Sequence, residues 1–388
     1  MLKRKVVTAM FMTHRQFGVL QLSMCLGLGV QVSAEAQAGP QVGTITSIQG
    51  IVKLFHSPGE EMEGPPPHVL FENEYFSVRD VKVGDRLENK NILRVSPGSS
   101  AKVIYDNGDM ITVGSSTAYR INWKKDDVKA ETTINMMYGK IRGVVAKGGP
   151  RSRLKVKTAS ATMGVRGTEF FVADGGPEKG TEISILRGSV DVKVGNDEAK
   201  SKPVEVKAGQ YAEIPPPPPP VIAEKPKPVV EKEKVGKTEQ ASAPAPVKPA
   251  VELAPQVLAV RQTSQEELVA IQKSTVAKVE PKKELEKAVE QPPEMKETMK
   301  RIEELEKKAI VTVIEDIKKE DPKLYAQISA NPAATSSEEI AKAQVTQLIK
   351  TAPKEPERKK RFWTDDESIG AKGGDSSDAY EKYFKVVD

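Results

Sequence analysis

Cysteine is almost missing from this sequence. Its single copy, Cys25, lies in an apolar N-terminal stretch, so a mature chain without that stretch has no thiol. Disulfides, thiolate nucleophiles and cysteine-based zinc sites are excluded from such a form. Aromatic residues make up only 5% of the chain and histidine occurs three times. Catalytic spacings are lacking too: no nucleophile, base and orienting group stand in a recognised pattern, and Gly143–Gly149 lacks the Lys-Ser/Thr order of a phosphate loop, with Pro150 directly after it. The carboxylates form no isolated pair suited to acid–base work. These absences describe a non-enzymatic protein with no cofactor and no metal site. Nor is there a strong excess of one charge: 59 Lys and Arg stand against 54 Asp and Glu, a balance of +5 in a chain that is 29% charged. That argues against a nucleic-acid partner.

What is present begins with a targeting signal. Lys3, Arg4, Lys5 and Arg15 precede the apolar run Phe17 to Val32, and Ala36 and Ala38 then supply the small residues a signal peptidase requires. The expected cleavage follows Ala38, so that the mature chain starts at Gly39 and is nearly neutral. An uncleaved anchor is the alternative, but the run is shorter than the roughly 20 apolar residues that cross a bilayer. Lipidation of Cys25 is disfavoured because Met24 is larger than the residue that normally precedes a lipidated cysteine. The protein is therefore expected to be exported, to the periplasm or cell envelope.

From about Gly43 to Ile214, short alternating segments and tight turns predict an all-β domain, a double-sheet β-sandwich or β-helical-like structure. Leu154–Thr158, Thr181–Leu186 and Val190–Val194 each place apolar residues on one face and Lys, Thr, Glu or Asp on the other, the pattern of sheets packed on one side only. Asp106-Asn107-Gly108 predicts a tight hairpin. An apolar-x-Gly-x-β-branched pattern recurs at Ile48–Val52, Met137–Ile141 and Leu186–Val190, which predicts corners where the sheet folds over itself. Ser57 to Tyr75, with three prolines in a row, reads as an inserted loop that carries His56 and His68 on its flanks as surface residues.

The segment Leu154 to Phe170 contains Gly164-Val165-Arg166-Gly167-Thr168-Glu169-Phe170, and it resembles the signature of the FecR family. Val83–Leu87, Asp106–Gly108, Tyr138–Arg142, Leu186–Val190 and Val206–Tyr211 are similar to that family's other landmarks in the same order. The resemblance spans about residues 43–213. It implies a periplasmic β-domain; typical members transmit receptor occupancy across the inner membrane to a sigma factor through a cytoplasmic N-terminal segment. Only about 16 residues precede the apolar run here, which favours an adaptor, scaffold or ligand-sensing module over a transmembrane signal-transduction regulator with the run kept as its anchor. Read physically, Gly164 and Gly167 permit a tight turn, and Arg166 is expected to clamp Glu169 or neighbouring carbonyls. A binding role for Arg166, Thr168 and Glu169 is the alternative.

The expected organisation is a signal peptide over 1–38, the FecR-like β-domain over 39–214, a disordered linker rich in Pro, Lys and Glu over 215–293, helical segments over 294–352 and a flexible tail over 353–388. Pro215 to Pro220 forms a stiff polyproline spacer. Met295, Met299, Ile302, Leu305 and Ala309 predict one amphipathic helix, and Ser337 to Thr351 a second, capped by Ser336 or Ser337. Helices this short are marginal unless tertiary contacts hold them. The expected partner is another envelope protein or a glycan. Membrane contact through Lys359–Trp363 is weakened by the acidic residues that follow it.

Overall fold

A computed structural model describes residues 41–62, 66–125, 130–147, 154–195, 202–217, 258–275, 293–330, 336–354, 361–363 and 383–387. The cleavage positions Ala36, Ala38 and Gly39, the polyproline run beyond Pro217 and Cys25 lie outside them. Two groups of strands alternate along the chain. In the first sheet the order is Arg86–Glu88, Gln41–Gln49, Ser100–Tyr105, Met110–Val113, residues 139–144, Glu169–Asp174, Thr181–Arg187, Gln210–Ile214 and Ala259–Gln262, all antiparallel. In the second it is Lys385–Val387, His68–Phe71, Glu74–Asp80, Val52–Gly59, Ile92–Val95, Thr117–Lys125, residues 130–138, Leu154–Lys157, Ala161–Val165, Ser189–Val194 and Val204–Lys207. The pairing of 132–135 with Leu154–Lys157 is parallel. The long strand Ala130–Val144 belongs to both sheets and makes them one hydrogen-bonded system.

The glycine corners are where the pattern placed them. Gly50, Gly139 and Gly188 have φ of 76°, 106° and 77°, and at each the chain passes from one sheet to the other. Gly139 shows why no side chain fits: a Cβ there would lie 2.4 Å from the Thr117 Cα. The strand can bend only because that space is empty.

One apolar cluster fills the gap between the sheets, with Ile45, Val103, Ile111, Ile141, Val172, Ile183 and Ile185 from the first and Leu54, Leu93, Tyr119, Ile134, Val156, Met163 and Val192 from the second. Each fully buried side chain of this kind adds about 1.5–3 kcal/mol relative to exposure. This is the expected double-sheet fold.

The expectation of sheets packed on one side fails for the first sheet. Every residue of Glu169–Asp174 and of Thr181–Arg187 is buried, the polar ones included. The cover comes from the C-terminal half: α1 (Gln265–Thr275), α2 (Pro293–Glu320), α3 (Pro322–Ser329) and α4 (Ser337–Thr351). Ile310, Val313 and Ile317 of α2, Leu324 and Ile328 of α3 and Ile340 of α4 pack with Ile104 and Met110. Leu268 and Ile271 of α1, Val345 of α4 and Trp363 pack with Phe171, Ala173 and Leu186. The helices are therefore not marginal: the sheet supplies the contacts that their length requires. Asp321 caps α3, its side chain accepting from the Leu324 N–H, with Pro322 at the first turn. Ser336 caps α4. The buried stripe of α2 starts at Ile302, whereas Met295 and Met299 are 51% and 41% exposed.

Three further local differences have physical reasons. Ala259–Gln262 and α1 fall inside the span read as linker; the strand adds to Gln210–Ile214, and α1 buries Leu268 and Ile271. In the span read as a flexible tail, Trp363 and Phe384 are buried and Lys385–Val387 adds to His68–Phe71. The supposed loop between Ser57 and Tyr75 contains a hairpin, His68–Phe71 with Glu74–Asp80, turned by Glu72 and Asn73 at φ 49° and 65°. Both histidines consequently sit on strands, and His68 is buried. Among the described residues no group of His, Cys, Asp and Glu could hold a metal ion, and no helix is long and apolar enough to cross a membrane.

Candidate functional site

The motif turn joins the strand Ala161–Val165 to Glu169–Asp174 and so carries the chain from the second sheet to the first. Gly167 has φ 64°. Thr168 fixes the turn, its hydroxyl donating to the Arg166 carbonyl at 3.0 Å and the Ser189 carbonyl at 2.9 Å. Phe170 points into the core with no exposure, and Val165 is buried beside it while Gly164 is exposed.

The expected clamp exists, but with a different arginine. Glu169 is 1% exposed and accepts from Arg142, whose Nε lies 2.9 Å from Oε1 and whose Nη2 binds the same oxygen. Arg142 also donates to the Ala341 carbonyl of α4 at 3.2 Å. Arg142 and Glu169 lie on adjacent antiparallel strands, two residues out of direct register, close enough for the planar fork to close on the carboxylate. Arg166, three residues from Glu169 along the chain, points instead to solvent. Sequence proximity suggested the nearer arginine; strand pairing chose the one 27 residues away. The Tyr138–Arg142 landmark was the signal that could have found it.

Arg142 is one of several buried charges on the outer face of the first sheet. Lys102 reaches Glu306 of α2 and Glu338 of α4, each at 3.1 Å. Burial alone would raise Glu338, but the Lys102 charge and hydrogen bonds hold its carboxyl below the ordinary range. Lys140 donates to the Trp363 carbonyl at 3.3 Å, and the Trp363 indole donates to Glu182 at 2.6 Å. Burial pushes Glu182 upward against that hydrogen bond and the Arg361 charge. Glu267 of α1 is bound by Arg261 and Arg361, whose guanidinium groups lie 4.2 and 4.9 Å from the Tyr211 ring centre. Desolvation opposes ionisation of Glu267, but its hydrogen bonds from Arg261 and the Ser264 N–H prevail and keep it below the usual range.

Where the motif turn meets α3 and α4 the surface opens into a cleft of about 600 Å³ lined by Lys147, Arg166, Gly167, Arg187, Gly188 and Lys207 from the β-domain and by Glu320, Asp321, Gln344, Gln347 and Leu348 from the tail. Glu320 answers both Arg187 and Lys147, at 3.0 Å each. The Lys147 N–H donates to Asp316 at 2.7 Å. Gln344 donates to the Leu186 carbonyl at 3.0 Å. Of the motif residues, Arg166 and Gly167 line this cleft, while Thr168, Glu169 and Phe170 build the scaffold behind it.

A two-layer β-scaffold with a polar cleft is the class these observations define. Residues 91–191 match the family model described as FecR protein, so the resemblance drawn from the motif holds over that span, well under half of the chain. Two crystal structures of a candidate anti-sigma factor from Parabacteroides distasonis ATCC 8503, at 2.50 and 1.65 Å resolution, are similar at 17% and 15% identity with TM-scores of 0.27. The likeness covers 32% of this chain and 54% of each of theirs, so this chain spans about half the length of those structures. No curated protein matches.

Proposed function

We propose that this chain is an exported, non-catalytic envelope protein whose FecR-type double sheet serves as an adaptor or ligand-sensing module, with its own C-terminal helices completing the binding cleft. The carrying observation is the division of labour within the motif. Glu169, Thr168 and Phe170 are locked into the scaffold, whereas Arg166 is exposed at the cleft and its side chain has no hydrogen-bond or ion-pair partner among the described residues. A solvated arginine held on a rigid turn beside a polar cleft suits recognition of an anionic group on a protein or glycan. Affinity capture from envelope extracts with the 39–388 chain tests this. Arg166→Ala is expected to lose the captured partner without a change in melting temperature; capture unaffected by the substitution rejects the reading.

The FecR match supports a second reading, a transmembrane signalling regulator that keeps Phe17 to Val32 as its anchor. N-terminal sequencing of the envelope form separates the two. A start at Gly39 supports the adaptor, and retention of the run in the membrane fraction supports the regulator.

A further inference from the structure

The outer edge of the second sheet is closed by a strand that arrives from far along the chain. His68–Phe71 pairs on one side with Glu74–Asp80 and on the other with Lys385–Val387, in the antiparallel register Leu70 with Lys385, Val69 with Val386 and His68 with Val387. Without that strand the backbone of His68–Phe71 is an open edge, a template for any extended chain. Next to the edge lies an aromatic pocket. Phe384 enters it, 2% exposed, meeting Phe55 edge-on at an interplanar angle of 85° and lying tilted beside Phe71. Apart from Phe384 and the half-buried Tyr383, every member of this cluster comes from residues 55–138, Val69, Phe76, Met137 and Tyr138 among them. Backbone pairing combined with a pocketed side chain is how an added strand is recognised.

The segment fills this site incompletely. Of Tyr383–Val387 only Phe384 is buried, and Val386 is 60% exposed. Beside Tyr383 runs a cavity of about 490 Å³, lined by Phe71, Arg120, Met136, Met137 and Pro177. A strand held by so few side chains opens locally before the sheet it joins. Attachment to the same chain offsets that weakness by giving the segment an effective concentration on the order of millimolar. A second copy of the chain offers the same contacts without this advantage and loses the competition at lower concentrations. A foreign strand whose side chains also occupy the cavity gains contacts that the chain's own segment lacks.

We propose that the His68–Phe71 edge and its aromatic pocket form a strand-accepting site for an extended, aromatic-bearing segment of another protein, and that Tyr383–Val387 is the internal strand which such a partner displaces. The site lies on the second sheet, and it stands or falls independently of the cleft beside Arg166.

Fluorescence anisotropy with a fluorescein-labelled peptide of the sequence Tyr380–Asp388 tests it. Phe384→Ala in the 39–388 chain empties the pocket and leaves the accepting edge intact, so this variant is expected to bind the peptide at least about tenfold more tightly than the wild-type chain does. The same peptide carrying Phe384→Ala is expected to lose that binding. No binding to the folded variant, equal binding to variant and wild type, or equal binding of the two peptides overturns the proposal. Should Phe384→Ala not fold, hydrogen exchange of the wild-type chain decides: an excess of the peptide should speed exchange of the chain's own Tyr383–Val387 amides and leave those of Val52–Gly59 unchanged. Protection that excess peptide does not alter overturns the proposal as well. Sedimentation at increasing protein concentration addresses the other occupant. A monomer supports the foreign partner, whereas a dimer that Phe384→Ala abolishes assigns the site to the segment of a second copy and overturns it.

Discussion

The two outer faces of the sandwich are covered in different ways. On the first sheet the cover is helical and the contact is heavily charged: Lys102, Lys140, Arg142 and Glu182 are buried, and each finds a partner from the tail. On the second sheet the cover among the described residues is one short segment and the contact is aromatic. Phe384 stands 5.0 Å from Phe55 and 5.3 Å from Phe71 between ring centres, and Tyr383 is 5.7 Å from Tyr138. Aromatic packing tolerates small shifts because burial is non-directional. Buried ion pairs do not, since losing a partner leaves a charge stranded in low dielectric. The charged face therefore specifies one docking geometry, whereas the aromatic face adds area.

The largest effect expected from this contrast comes from deleting the helical cover. A 39–217 fragment uncovers Ile104, Met110, Phe171 and Leu186 together with the four buried charges, and it should melt well below the 39–388 chain and bind a hydrophobic dye. Thermal unfolding followed by circular dichroism measures this; equal melting temperatures would mean that the helices contribute nothing to the sheet. Next comes the buried pair. Glu169→Ala strands the Arg142 guanidinium and should cost about 3–5 kcal/mol, while the double change Arg142→Met with Glu169→Leu should recover most of the loss. Denaturant unfolding of the single and double variants reads the difference, and no recovery in the double variant would contradict a charge-stranding account. On the aromatic face, Phe384→Ala should cost less, about 2–3 kcal/mol, because the segment can detach before the rest unfolds. A loss equal to that of Glu169→Ala would erase the contrast between the faces.

A separate effect concerns pH. Burial raises Asp109 and Asp174 to about 7 each, against hydrogen bonds to Asn107 and the Ala146 backbone for the first and to Thr181 and the Gly176 backbone for the second. Each stays protonated in the folded chain at pH values where the unfolded chain has already ionised. Their contribution to stability therefore falls as pH rises from about 4 to about 7 and is constant above that. Asp109→Asn should flatten the decline in melting temperature between pH 5 and 7, and an unchanged slope would assign it to other groups.

How much of this was legible in the sequence follows the range of the interactions. Strands, corner glycines and the double sheet depend on periodicity and local turns, and Ile183 with Ile185 or Gly139 announces them directly. The cover over the first sheet does not, because a strand such as Thr181–Arg187, with Glu182 and Ser184 on its outer face, alternates like a half-solvated one. The tryptophan that buries Glu182 comes 181 residues later. The same limit misassigned the arginine of the clamp. It also kept Arg187 and Gln344 out of the candidate site, since they become neighbours only once α4 docks.

The docked tail also imposes an order in time. Lys102 meets Glu338 across 236 residues, and Lys385–Val387 completes an edge begun at His68–Phe71. During synthesis the sheets emerge long before the elements that cover them. Closure of such distant contacts is slow, and the uncovered strands are open to wrong partners meanwhile. A chain built in this way is expected to leave those strands uncovered until residues 336–354 and 383–387 have docked.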